Sequence, residues 1–117
     1  IWRYLQELNL AHNQIGDQGV LSIENNLTFR NLAKLNLFTN KIGDKGANIL
    51  GLNVHWSYLE ELYLQENEIS DQGARAIGGN KTWKSLVKFE IHSNKHITEI
   101  GKVELRKNPI FGQFVNV

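Results

Sequence analysis

The sequence predicts an α/β solenoid, in which parallel strands form a curved sheet on the concave side and helices cover the convex side. One apolar pattern, L-x-x-L-x-L-x-x-N-x-I, recurs with a period of 27 residues. The first part of the pattern alternates polar and apolar residues, which is typical of a half-buried strand. The residues that follow it carry a short apolar stripe with helical spacing. Repetition of such a strand–helix unit at this period is typical of solenoids.

Copies of this pattern divide the chain into four units. The clearest copy occupies residues 32–42, and the fourth, which begins at Leu86, has one extra residue before Ile97. We therefore interpret residues 1–117 as a single domain with repeats at about 5–31, 32–58, 59–85 and 86–113. Because the chain starts in the middle of the pattern, we expect it to be a fragment of a longer chain.

Within one repeat, residues 34–38 form the predicted strand. Leu35 and Leu37 point towards the core, and the residues between and beside them point to the opposite face. Asp44 is predicted to cap the helix that follows, because its carboxylate accepts hydrogen bonds from the unpaired N–H groups of a first turn. The helix is expected to end near Asn53.

Three further residue types recur at fixed positions of the repeat. The glycines suggest that each helix backbone lies very close to the sheet. The asparagines are expected at helix ends, where this residue tolerates the left-handed conformation. The aromatic residues are expected to fill the core behind the return connection. These columns are Gly19, Gly46, Gly73 and Gly101; Asn26, Asn53, Asn80 and Asn108; and Trp2, Phe29, Trp56, Trp83 and Phe111.

The two ends of the chain differ. Phe114 and Val117 fall where Leu86 and Phe89 would repeat, so we expect a short fifth strand that closes the sheet. At the other end only residues 1–4 precede the first strand, and three of these four are apolar or aromatic. An edge strand without a cap has unpaired backbone groups that can pair with another chain. We therefore expect self-association through the N-terminal edge.

These segments resemble the leucine-rich repeat family, and the G-D-x-G stretches that follow them are similar to its ribonuclease-inhibitor-like branch. That branch includes intracellular NOD-like receptors, and similar repeats occur in bacterial effectors. The resemblance implies a leucine-rich repeat solenoid that offers a protein-binding surface. It also implies that one asparagine column hydrogen-bonds the turns after the strands. This column is Asn13, Asn40, Asn67 and Asn94.

The outward positions of the strands are the candidate binding surface. Phe38 and Tyr63 are predicted as exposed aromatic residues on adjacent strands, amid polar groups, as is common for interface anchors. An alternative interpretation is that they only pack side by side, and that the alternating charges only stabilise the sheet. The predicted protein-binding residues are Glu7, Asn9, Lys34, Asn36, Phe38, Glu61, Tyr63, Gln65, Lys88, Glu90 and His92.

Composition argues against several other classes of function. The net charge of +1 does not favour a nucleic-acid partner or an anionic membrane surface. No apolar run approaches the roughly 20 residues that a membrane-spanning helix needs. The absence of cysteine excludes a thiolate metal site and fits a cytoplasmic location, with a secreted effector as the alternative. His92 and His96 have no partners at metal-ligand spacing, so neither a metal nor a cofactor is expected.

We therefore expect a non-enzymatic module that binds a protein partner through its concave face. The aspartates of the repeat (Asp17, Asp44 and Asp71) are interpreted as helix caps, since no carboxylate pair lies outside the repeat columns. The alternative is an architectural segment of a longer solenoid, or a regulatory or sensor region of a larger effector or receptor, with no binding of its own.

Overall fold

The computed structural model describes residues 2–117, so that Ile1, predicted to precede the first strand, lies outside the described residues. Strands and helices alternate along this part of the chain. The strands are β1 (Glu7–Asn9), β2 (Lys34–Asn36), β3 (Glu61–Tyr63), β4 (Lys88–Glu90) and β5 (Val115–Asn116). The helices are α1 (Gly16–Asn25), α2 (Asp44–Gly51), α3 (Asp71–Gly78) and α4 (Glu99–Arg106). None of these helices is long and apolar enough to cross a membrane.

All of these strands are parallel and lie in one sheet, in sequence order from β1 to β5. Leu8 pairs with Leu35, Leu35 with Leu62, and Leu62 with Phe89, so equivalent residues of the repeat lie side by side. The helices pack against one another in the same order on the other face of the sheet. The predicted α/β solenoid, with the sheet on the concave side and the helices on the convex side, is confirmed.

The core lies between the sheet and the helices. Leu35 and Leu62 are fully buried, because a single unit cannot cover its own apolar face and the next unit covers it instead. The aromatic column lies in the core as predicted at Phe29, Trp56, Trp83 and Phe111. The exception is Trp2, which is 60% exposed and stacks on Phe29 with 6.1 Å between the ring centroids.

A ladder of asparagine side chains joins each unit to the one before it. The Oδ1 atom of Asn67 accepts hydrogen bonds from the backbone N–H groups of Asn40 and Ile42, both at 2.9 Å. Its Nδ2 atom donates to the carbonyl oxygens of Leu37 and Leu64, both at 3.0 Å. One buried amide therefore satisfies backbone groups of two units, as the family resemblance implied.

The same arrangement holds on both sides of Asn67. The Oδ1 atom of Asn40 accepts from the N–H groups of Asn13 and Ile15, at 2.9 and 3.1 Å. Asn94 accepts one such bond, from Ile69 at 3.0 Å, and donates to the carbonyl oxygens of Leu64 and Ile91, so the ladder continues into the fourth repeat. Asn13 begins the ladder, and its Nδ2 atom donates only within its own unit.

The residue before each ladder asparagine adopts a left-handed backbone conformation. The φ angles of His12, Thr39, Glu66 and Ser93 are 62°, 55°, 56° and 61°. None of these residues is glycine, and this conformation costs roughly 1–2 kcal/mol per non-glycine residue. The hydrogen bonds of the ladder offset that cost, because they hold the backbone on both sides of the turn.

The aspartate column caps helices as predicted, but each aspartate caps the helix of the next unit. The Oδ1 atom of Asp44 accepts from the N–H groups of Ser70 and Gly73, at 2.8 and 3.1 Å. Asp71 does the same for Thr98 and Gly101. The hydrogen bond from the Thr98 hydroxyl group is the main cause that lowers the pKa of Asp71 below its usual value.

The recurring glycines allow neighbouring helices to approach each other closely. The prediction that they bring each helix close to the sheet is wrong. A Cβ atom on Gly73 would lie 2.4 Å from Oδ1 of Asp44 and 2.9 Å from Cβ of Ala47, both on α2. Gly101 stands in the same relation to Asp71 and Ala74 of α3. Glycine at this position therefore makes room for the aspartate cap of the preceding unit.

The second asparagine column forms another ladder, and its predicted left-handed conformation is wrong. Asn26 has a φ of −81°, and no asparagine of this column has a positive φ in the described chain. Instead, Nδ2 of Asn80 donates to the Leu50 and Asn53 carbonyl oxygens, at 3.0 and 3.2 Å. Its Oδ1 atom accepts from the N–H group of Trp83 at 3.1 Å.

The fifth strand exists, but its predicted register is wrong. Val115 pairs with Phe89 and Asn116 with Glu90, whereas Phe114 is exposed. A turn of 3₁₀-helix over Gly112–Phe114 shortens the connection between the aromatic residue Phe111 and the strand. The apolar pattern alone did not contain this shortening.

The register of the leucine column leads to a stability prediction. Leu62→Ala is expected to lower the free energy of unfolding by about 2–5 kcal/mol, because it opens a cavity between three units. Chemical denaturation measures this change. The matched control is Leu8→Ala in β1, where the side chain is partly exposed, and its cost is expected to be clearly smaller. Equal losses for the two variants would contradict the register.

Candidate functional site

The outward side chains of the strands form three rows across the concave face. We call them the charged row, the middle row and the upper row. Strand register places the charged row in line from Glu7 to Lys88, and the middle row in line from Asn9 to Glu90. The upper row lies two residues further along each unit. The rows are Glu7, Lys34, Glu61 and Lys88; Asn9, Asn36, Tyr63 and Glu90; and Ala11, Phe38, Gln65 and His92.

All the residues predicted to bind a protein therefore lie on one face. The structure leaves Glu7, Asn9 and Lys88 exposed, and the other eight are half-buried by their neighbours. In the charged row, Nζ of Lys34 lies 3.9 Å from Oε2 of Glu61. Both side chains of this pair are open to solvent, so the contribution to stability is at most about 1 kcal/mol.

Tyr63 occupies the middle of the face and is half-buried, whereas the sequence predicted an exposed side chain. Its hydroxyl group donates a hydrogen bond of 2.6 Å to Oε1 of Glu61. The ammonium groups of Lys34 and Lys88 lie 5.9 and 5.7 Å from the centre of its ring, one from each neighbouring strand. Cation–π attraction operates at this distance. The ring is thus held in place by three side chains.

This environment favours the neutral form of the Tyr63 phenol. Burial is the largest cause, and the hydrogen bond to Glu61 and the negative charges of Glu61 and Glu90 act in the same direction. Together they raise the pKa of Tyr63 to about 12.

Phe38 belongs to a different part of the face from Tyr63. Its ring packs edge-on against the imidazole of His12, with 4.8 Å between the ring centroids. In the sheet, Tyr63 pairs with Asn36, and Phe38 lies one row higher beside Gln65. The two aromatic residues are therefore diagonal neighbours, and the alternative interpretation that they only pack side by side does not fit this register.

Polar groups surround the two rings. Oε2 of Glu90 accepts a hydrogen bond of 2.6 Å from Asn116 and lies 3.8 Å from Nε2 of His92. The Oε1 atom of Gln65 is buried and has no hydrogen-bond partner within residues 2–117. An unpaired buried acceptor costs free energy in the unbound molecule.

The sequence did not predict an open groove beside the turn of the fourth unit. It has a volume of about 910 Å³, and its lining residues are Glu66, Asn67, Glu68, Ser93, Lys95 and His96. The extra residue between Asn94 and Ile97 was the only sequence signal for it. His12, which supports Phe38, was also missed, because its contact depends on the left-handed turn.

No metal centre is found in the part of the chain that the structure describes. No three His, Asp or Glu side chains there are grouped as ligands of one ion, and His92 and His96 belong to no such group.

A parallel sheet lined by an asparagine ladder, with one helix after each of the first four strands, defines a repeat solenoid with an open concave face. A family model described as leucine-rich repeat matches residues 3–23, 30–48 and 57–78, which together exceed half of the chain. The chain belongs to the leucine-rich repeat family.

Comparison with solved structures supports the same fold. Leiomodin-1 Actin-Binding Site 2 matches with a TM-score of 0.65 and 18% sequence identity, over 92% of this chain and 67% of that chain. At this identity the likeness shows the fold alone. A comparison with curated proteins finds no match.

The environment of Tyr63 leads to a prediction for its titration. The pKa of Tyr63 is higher in the folded chain than the value of 10.0 for an unfolded chain. The neutral phenol therefore contributes its full stabilisation below pH 10.0, and this contribution is lost as the pH rises through about 12. Tyr63 is expected to ionise with a pKa of about 12, in an ultraviolet titration followed by circular dichroism on the same samples. Tyr63→Phe should remove the ionisation step near pH 12, and Tyr58→Phe should retain it. A step that survives Tyr63→Phe would contradict the assignment.

Proposed function

We propose that this chain is a protein-interaction module and that its concave face binds a protein partner. The observation that carries the proposal is the placement of Tyr63 at the centre of the face. Its ring is fixed by Glu61, Lys34 and Lys88, and polar groups surround it. Aromatic residues in such positions are enriched among the residues that dominate binding energy.

Pre-organisation supports this proposal. A side chain that is already held in one conformation loses less entropy when a partner orders it, and that loss is a large part of the cost of association. Phe38 is held in the same way by His12. Two rigid rings on neighbouring strands therefore offer a partner apolar area that is already ordered.

The proposal includes the class of partner and the location. The partner is a protein, since a net charge of +1 supplies little attraction for nucleic acid or anionic membranes. The module is non-enzymatic, because the repeated carboxylates Asp17, Asp44 and Asp71 are used to cap helices. The G-D-x-G stretches favour the ribonuclease-inhibitor-like branch and a cytoplasmic location, with a secreted effector as the alternative.

A purely architectural role is the second candidate, and one observation favours it. Glu61 is engaged by both Lys34 and Tyr63, so the centre of the charged row is already neutralised within the molecule. Such a face needs no partner to satisfy its charges. In that case the chain would serve only as a segment of a longer solenoid or of a regulatory region.

The test is a double variant, Phe38→Ala with Tyr63→Ala. It is expected to weaken a protein partner by about 2 kcal/mol or more, which is roughly thirtyfold in the dissociation constant. Purified actin is the first probe, because the similar leiomodin-1 structure is described as an actin-binding site. Proteins captured from a cell lysate and then purified are the second. Isothermal titration calorimetry measures the affinity of each.

The matched control is Leu52→Ala with Val54→Ala, in the connection that follows α2 and outside the three rows, where these side chains are 71% and 68% exposed. This variant should bind as the parent does. Circular dichroism must show that both variants remain folded. A partner that is lost with the control variant and kept with the concave variant would place the site elsewhere. A parent chain that binds neither actin nor any captured protein would favour the architectural role.

A further inference from the structure

Positive and negative charges are unevenly distributed along this chain, although they nearly cancel over its whole length. Residues 72–117 contain eight of the 13 lysine and arginine residues but only three of the 12 aspartate and glutamate residues. This part therefore has a formal charge of +5, and residues 1–71 have a formal charge of −4. Because local charge decides which partners a surface attracts, the basic part of the molecule has to be considered by itself.

Four of the basic residues lie together where helices α3 and α4 end, and we call them the basic patch. Two of them follow α3 in the connection to β4, and two lie at the C-terminal end of α4. All four are exposed. The basic patch consists of Lys81, Lys84, Arg106 and Lys107.

A hydrogen bond between the third and fourth units brings the two pairs together. Nδ2 of Asn108 donates to the carbonyl oxygen of Asn80 at 2.9 Å. Lys107 directly precedes the first of these asparagines, and Lys81 directly follows the second. The two lysines therefore lie close to each other on neighbouring units.

Aromatic packing places Lys84 at the same corner of the molecule. The ring of Trp83 packs on that of Phe111, with 5.8 Å between the ring centroids. Gly112 is the equivalent of Lys84 in the fourth unit, and a Cβ atom on Gly112 would overlap the carbonyl group of Arg106. The backbones of Lys84, Gly112 and Arg106 are therefore neighbours.

The repeat itself does not require basic residues at these positions. In the second unit, the equivalents of Lys81 and Lys107 are Val54 and Leu52, which are 68% and 71% exposed. The second unit has a neighbour on each side. Exposure at these positions therefore comes from the geometry of the repeat and not from the end of the chain.

Most of the charge in the basic patch is unpaired within residues 2–117. Nζ of Lys107 lies 3.6 Å from Oε1 of Glu104, and the other three residues form no ion pair there. A cation near the C-terminal end of a helix interacts favourably with the helix dipole, which explains Arg106 and Lys107. Lys81 and Lys84 lie outside both helices, so their positive charge has no such structural use.

We propose that the basic patch binds a short acidic segment of a protein, in which several aspartate or glutamate side chains follow one another. Lysine ammonium groups on flexible stems can each approach a carboxylate, and the arginine can bind one through two parallel hydrogen bonds. The patch lies outside the three rows of the concave face. This inference therefore does not depend on the proposed function.

The surroundings favour a protein segment over nucleic acid or a membrane. Trp83, which lies between Lys81 and Lys84 in the chain, and Phe111, which packs on it, are fully buried and cannot stack on bases. A duplex or a membrane surface would also extend over the acidic part of the molecule, which repels it. A short peptide covers the patch alone, and charges more than about 8 Å away are largely screened at physiological ionic strength.

The test uses a labelled oligoglutamate peptide as the probe and fluorescence anisotropy as the measurement. The parent chain is expected to bind the peptide, with a dissociation constant that rises with salt because screening weakens contacts between exposed charges. Lys81→Glu with Lys84→Glu should weaken binding about tenfold or more, since it replaces two attractions by two repulsions. Lys81→Arg with Lys84→Arg should bind as the parent does, because it keeps both charges.

The matched control is Arg30→Glu with Lys45→Glu. Both residues are exposed and lie outside the basic patch, and Arg30 occupies the same repeat position as Lys84. This variant has the same net charge as the patch variant, and its binding should weaken by about twofold at most. Circular dichroism checks that both variants remain folded.

Nuclear magnetic resonance locates the bound peptide on the parent chain. The backbone amide signals of Lys81, Lys84 and Lys107 should shift as the peptide is added, whereas that of Tyr63 on the concave face should not. A parent chain that does not bind the peptide would overturn the proposal, and so would shifts at Tyr63 in place of the patch.

Two further results would also contradict the proposal. Equal losses in the patch variant and the control variant would show that binding depends on net charge only. A duplex oligonucleotide or a phosphatidylserine vesicle that binds the patch more tightly than the peptide would assign a different class of partner.

Discussion

The structure depends on a buried asparagine side chain that forms hydrogen bonds with the backbone of the preceding unit. Asn40 and Asn67 each accept two N–H groups from the preceding turn, and Asn94 accepts one. All three donate to backbone carbonyl groups, and at Asn67 the two accepted bonds and the bonds to Leu37 and Leu64 are 2.9–3.0 Å long. These backbone groups lie away from water, and their burial would cost several kcal/mol if they were unpaired. The ladder therefore makes the polar turn of one unit compatible with a close neighbour. It also supports the left-handed residue before each asparagine, such as Thr39 and Glu66.

Cohesion between units explains how the side chains of the binding face are arranged. Because the ladder, the aspartate caps and the leucine columns all act between neighbours, equivalent side chains lie in straight rows, and Lys34 and Lys88 flank Tyr63 from two sides. Within residues 2–117, the first unit has a neighbouring unit on one side. Its helix has no aspartate from a preceding unit within the described chain, and Leu8 is only partly covered. The rows of the candidate protein-binding face are thus a result of one repeating contact.

The sequence was sufficient to predict the features that repeat along the chain. It was not sufficient to predict which neighbouring unit a side chain contacts, or how long the last connection is. Period and residue type were sufficient for the leucine register, the Asn67 ladder and the side of the sheet on which the candidate residues lie. They could not show that Asp44 caps the helix of the following unit, because an aspartate that caps its own helix would recur with the same period. They could not show that Gly73 makes room for that cap, or that the last connection is short enough to pair Val115 with Phe89. In the candidate site, the contacts of Tyr63 come from two neighbouring strands, and side-chain reach of this kind is not visible in a periodic pattern.

The central claim is that the asparagine ladder holds the units together, and substitution of two members of that column tests it most directly. Asn67→Ala leaves the N–H groups of Asn40 and Ile42 and the Leu37 carbonyl group without their partner, so the free energy of unfolding should fall by about 3 kcal/mol or more. Asn13→Ala removes only bonds within the first, exposed turn, and its cost should be under about 1 kcal/mol. Chemical denaturation of both variants gives the comparison. Similar losses at the two positions, or an Asn67→Ala variant as stable as the parent, would contradict this account.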